Sequence, residues 1–171
     1  MGEVPTSSPL AGLRRRVDEA RRQATIDWPL QLGEVELLLR YRAVDFETIE
    51  KITGKQSGPR GRVGLEQAAR LLARSCVGVY AVVGSDIVSI DGVDDPSQAS
   101  ARINGEGQVE GEPVTFASEW LADELGVESG KAADTVIALF PLELTIPEHA
   151  RVVIDFSQGK DETAIRAALG N

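Results

Sequence analysis

The residues able to do chemistry are few, and they do not gather. His149 is the only histidine and Cys76 the only cysteine in 171 residues, so any triad, thiol–imidazole pair, His-rich zinc site or imidazole proton shuttle would rest on one of these two. His149 falls in the first turns of an expected helix with no cysteine nearby, the setting of a structural histidine at or half below the surface. Cys76 falls on an apolar stripe, where a thiol packs as a small hydrophobe and its thiolate is disfavoured. Gly54-Lys55 invites comparison with a phosphate-binding loop, which needs a glycine five residues before that pair and Ser or Thr directly after it. Those positions hold Ile49 and Gln56, and the preceding segment reads as helix where the motif requires a strand. The stretch is therefore expected to be a basic connector. Carboxylate pairs such as Asp94-Asp95 and Asp123-Glu124 read as solvated surface, because acid–base chemistry needs two carboxyls held at a fixed gap in a cleft. Asp86, Asp91, Asp94 and Asp95 lack the spacing and terminal Glu of a calcium loop. No catalytic residue, no metal site and no cofactor is expected, and the chain is expected to act by binding other proteins.

Composition narrows what those partners are. The formal net charge of -9 is uneven: residues 1–75 carry 13 Lys/Arg against 10 Asp/Glu, and residues 76–171 carry 5 against 17. An acidic back half repels a phosphate backbone, which excludes general nucleic-acid binding. MGEVPTSSPL lacks the apolar stretch of a signal peptide, and no later segment is apolar enough to span a bilayer. The Met-Gly start with Thr6 matches part of a myristoylation motif without its membrane-directed context. One cysteine allows no internal disulfide, which suits a reducing compartment. Aromatics are only 5% of the chain, so the core must come from Leu, Val, Ile and Ala.

The elements follow from periodicity. Ser8 as N-cap and Pro9 in the first turn open a helix on which Leu10, Leu13, Val17, Ala20 and Ala24 recur at threes and fours among arginines. Three readings stand: a helix lying on the core, an arm for self-association or a partner, and an RNA-binding arginine helix. Leu10, Leu13 and Val17 are the candidate contacts for the second. Val35, Leu37, Leu39 and Tyr41 alternate with polar residues as a strand does. Asp45 caps a short helix, Phe46 to Ile52, that Gly54 ends. From Leu65 to Tyr80, Ala68, Ala69, Leu72, Cys76 and Val79 trace one helical face, which predicts a long central buried helix ended by Gly84. Ser85 to Gly111 reads as a short strand and then a mobile acidic excursion. Thr115 or Ser118 caps Glu119 to Leu125, a second run covers Ala132 to Phe140 before Pro141, and Thr145 with Glu148 forms a capping box for a last helix reaching Gly159.

Together these predict an α+β but predominantly helical fold, with five or six helices and one or two short strands or a small hairpin. The expected organisation is an amphipathic helical arm over 1–28, one domain over 29–158 with its excursion near 85–111, and a tail over 159–171.

The order of these segments resembles the tail assembly chaperones of tailed phages that infect actinobacteria. The resemblance is carried by VELLLRYRAVDFETIEKITG, by LEQAARLLARSCVGVY, by VTFASEWLADELGV, and by ADTVIALFP with the helix after it. It spans roughly residues 30–158 as patterns of apolar spacing, with no catalytic signature. The basic N-terminal helix and the 85–111 excursion depart from the typical pattern. The resemblance implies a protein that binds the helical tape measure protein in the host cytoplasm during infection and keeps it soluble while tail tube subunits polymerise. It also implies absence from the finished particle, and a longer frameshifted form as a further partner; a homo-oligomer is a further expectation. The alternative expectation is a structural virion protein, such as a head–tail adaptor or minor tail component.

Overall fold

The computed structural model describes residues 9–54 and 64–159. The cap at Ser8, the connector from Lys55 onward and the end of the predicted tail lie outside the described residues.

The sequence alternation that predicts a strand at Val35 extends on both sides into a sheet of six strands: β1 (Thr25–Leu32), β2 (Val35–Arg42), β3 (Cys76–Val83), β4 (Asp86–Ser89), β5 (Ala101–Ile103) and β6 (Val109–Gly111). They lie side by side in chain order, every pair antiparallel. This corrects the expectation of a predominantly helical fold with one or two short strands. Among the described residues six helices accompany the sheet: α1 (Pro9–Gln23), α2 (Phe46–Thr53), α3 (Leu65–Ser75), α4 (Glu119–Leu125), α5 (Ala132–Leu139) and α6 (Thr145–Ser157). The molecule is α+β, a meander sheet whose core is shared with α2 to α6.

Two tight hairpins account for much of what the periodicity hides. Leu32 pairs with Val35 and Val83 with Asp86, so each turn is two residues long. Gly33 and Gly84 hold φ of 60° and 62°, while no non-glycine among the described residues has positive φ. Glycine at the first central position is the arrangement of a type II′ turn, whose twist matches that of the flanking strands. In such a hairpin Pro29 points its missing N–H toward the open edge of β1, the one side of a strand where proline removes no ladder bond.

The predicted central helix from Leu65 to Tyr80 ends at Ser75, and Cys76–Val83 is a central strand. CVGVYAVV is apolar or glycine at every position and rich in β-branched residues. It satisfies a helical period and a strand period alike, and sandwiching between β2 and β4 decides for the strand. The predicted mobile excursion is also corrected. Residues 86–111 supply β4, two 3₁₀ turns, β5 and β6, so that stretch continues the sheet.

The core lies between sheet and helices. Ile26, Leu30, Leu37, Leu39, Tyr41 and Val79 face Ala68, Leu72, Val136, Ile146 and Val153 from the helical layer. Helix α3 packs on α5, α6 and β2 and is the hub of that layer. Asp45 caps α2 as expected, accepting from the Thr48 N–H at 2.8 Å and the Thr48 hydroxyl at 2.7 Å. Gly126 closes α4 in the left-handed region. The predicted capping box at Thr145 and Glu148 does not form: Thr145 is already helical and its hydroxyl donates back to the Leu142 carbonyl at 2.6 Å.

Candidate partner-binding surface

Each potentially reactive residue has a structural occupation. His149, 4% exposed, lies deeper than a surface or half-buried position. Its Nδ1 and the Tyr41 hydroxyl share a hydrogen bond of 3.2 Å, and the Phe140 ring meets the imidazole edge-on with centroids 4.9 Å apart. Burial without a charged partner pushes its pKa down to about 4, which keeps the imidazole neutral. The Tyr41 phenol is pushed well up, chiefly by its own burial. Cys76 is buried in β3 opposite Tyr41, and burial lifts its thiol to about 12, far from nucleophilic use.

Two carboxylates of the acidic stretch are similarly committed. Asp91 accepts from the Ser100 N–H at 3.1 Å, and Asp95 accepts from the Ser97 N–H and hydroxyl at 3.1 and 2.7 Å. These carboxylates shape turns. Among the described residues no three His, Cys, Asp or Glu side chains are grouped as a metal would require.

The face of the sheet away from the helices holds a polar cluster that sequence reading missed. Asp27 and Arg40 are cross-strand partners, and Arg40 binds both Asp27 carboxylate oxygens, through Nε at 2.7 Å and Nη2 at 2.9 Å. That hydrogen bond raises the guanidinium pKa against the opposing cost of its burial. Nη1 donates to the Gly107 carbonyl at 3.2 Å, so the β5–β6 turn folds back over this face. The guanidinium carbon sits 5.8 Å from the Tyr80 ring centroid. Tyr80 is fully buried and its hydroxyl has no protein partner among the described residues. Burial lifts its phenol to about 12, with Arg40 pulling the other way. The ring lies across Gly78, where a Cβ would stand 2.4 Å from the Tyr80 ring. The signal was present in the alternation of β2, which puts Arg40 opposite the Leu39 face; its partner went unseen because β1 did.

What the surface offers is exposed apolar side chains, among arginines on α1 and among carboxylates on α4 and the α5–α6 connector. Leu13 and Val17, two of the three contacts expected on the N-terminal helix, are 56% and 41% exposed, and no α1 residue with a described side chain joins the core. The third, Leu10, lies in α1, but its side chain is outside the described residues. Among the described side chains, nothing ties this helix to the core, and the alanines of its stripe offer little area to bury. The α5–α6 connector leaves Leu142 and Leu144 67% and 85% exposed on either side of Glu143, and Trp120 stands on α4 beside exposed carboxylates. Leucines this exposed gain nothing from folding the chain on itself.

No protein-family model, no curated protein and no solved structure matches the chain.

Proposed function

We propose that the chain is a phage tail assembly chaperone that binds the tape measure protein and keeps it soluble while tail tube subunits polymerise, running no reaction of its own. It acts in the host cytoplasm, stays out of the finished particle, and works alongside a longer frameshifted form of itself. The observation that carries this reading is the α5–α6 connector, where Leu142 and Leu144 project from the acidic half of the chain. A long amphipathic client helix needs apolar contacts to cover its stripe and like charge on the complex to hold it in solution. The connector supplies the first and the surplus of 17 acidic over 5 basic residues supplies the second. The segment order described above as resembling phage tail assembly chaperones points the same way.

Co-expression with the tape measure protein tests it. The wild-type chain is expected to hold the client in the soluble fraction and to copurify with it. Leu142→Glu with Leu144→Glu is expected to release the client while the domain stays folded. Recovery of the chain from mature particles would favour the structural virion reading, which the α1 arm, none of whose described side chains joins the core, also suits.

A further inference from the structure

Leu13 and Val17 lie one turn apart on α1. Helical geometry places Arg14 and Arg16 on the two flanks of that stripe and Arg15 on the far side, and all three arginines are exposed. The helix thus carries an apolar ridge edged with guanidinium groups.

A surface of the opposite character exists on the same chain. Helix α4 turns Leu121 and Ala122 inward and leaves Trp120 39% exposed. Asp123 and Glu124, three and four positions on, share the outer side with that ring and are exposed. An indole beside two carboxylates suits an arginine-edged ridge in two ways: apolar contact with Leu13 and Val17, and charge pairing or stacking with the guanidiniums. The joint before β1 decides which molecule supplies the ridge. Only Ala24 separates α1 from β1, and its N–H still bonds to the Ala20 carbonyl at 2.9 Å. A one-residue joint gives α1 no slack to swing round its own domain.

We propose that α1 of one copy docks on the α4 face of a second copy and receives the reciprocal contact, giving a two-fold dimer by exchange of arms. The pairing stands apart from the client reading and is tested without any client.

Sedimentation of the purified full chain should show a dimer whose dissociation constant rises about tenfold or more between about 0.05 M and about 0.5 M salt. Arg14→Glu with Arg16→Glu should give a monomer, and so should Asp123→Arg with Glu124→Arg. Arg15→Glu, on the far side, should leave the dimer largely intact. Mixing the two reversed variants should restore association, because each then offers the charge the other needs at both contacts. Circular dichroism checks that each variant is folded; where a reversal perturbs it, Arg14→Gln with Arg16→Gln and Asp123→Asn with Glu124→Gln replace the pair, and each should weaken the dimer. A chain that is monomeric up to about 0.1 mM at low salt, a dimer untouched by either reversal, or reversed variants that fail to associate when mixed would each overturn the proposal.

Discussion

His149 shows how burial alone turns a potentially catalytic group into packing. Its neutral ring is wedged between Tyr41 and Phe140, and its pKa of about 4 lies below the ordinary 6.5. The unfolded chain therefore takes up a proton, below about pH 6.5, that the folded chain refuses. This contribution to stability is complete above that pH and drains away as pH falls toward about 4, a loss on the order of 2–3 kcal/mol. Urea unfolding at about pH 7 and about pH 4.5 should show a smaller difference in His149→Gln than in the parent chain; an equal difference would remove His149 from the account. On the opposite face, Gly78→Ala would drive a methyl into the Tyr80 ring and is expected to cost about 1–3 kcal/mol, read as a lowered denaturation midpoint. Tyr80→Phe removes a buried hydroxyl with no protein partner among the described residues. It should leave the melting temperature unchanged or raise it, whereas a clear drop would mean that the hydroxyl is satisfied in solution.

Among elements, the hairpins and α1 make the sharpest statements. Gly84→Val asks a β-branched residue to hold φ near 62° and should cost on the order of 1–2 kcal/mol; thermal melts of this variant beside a Ser85→Ala control would show it. Removing residues 1–23 should move the unfolding free energy by less than about 0.5 kcal/mol at high salt, since no described α1 side chain joins the core. The legibility of these elements tracks how much each depends on distant contacts. Strand β2 was readable because Leu37, Leu39 and Tyr41 alternate with charges, and α2 because Asp45 supplies a local cap. Strand β1 was missed because Pro29 sits within it, harmless only at an edge that the sequence does not mark. The turn at Val83-Gly84-Ser85-Asp86 did carry a hairpin signal in Gly-Ser, masked by the helical phase of Cys76, Val79 and Tyr80.

At the scale of the molecule, charge is divided between a mildly basic front and a strongly acidic back. Client capture through the acidic half predicts affinity for a basic helical client that weakens steeply between low and high salt; a flat profile would leave the exposed leucines as the main attraction.

The sequence by itself determined the charge division, the lone histidine and lone cysteine, the Asp45 cap, and the helices whose stripes and stop signals lie within a dozen residues. The tertiary structure decided the rest. It made Cys76–Val83 a strand, because a run apolar on every side takes whichever element its neighbours can bury. It turned the acidic stretch into three further strands, added one after another beyond β3: β4 pairs with β3, β5 with β4 and β6 with β5. It brought Asp27 to Arg40 and Tyr41 to His149, across 13 and 108 residues, and left Leu13, Val17, Leu142 and Leu144 outside the core. The apolar count of a chain does not say which side chains its own core will accept, because that is set by the space between a sheet and its helices.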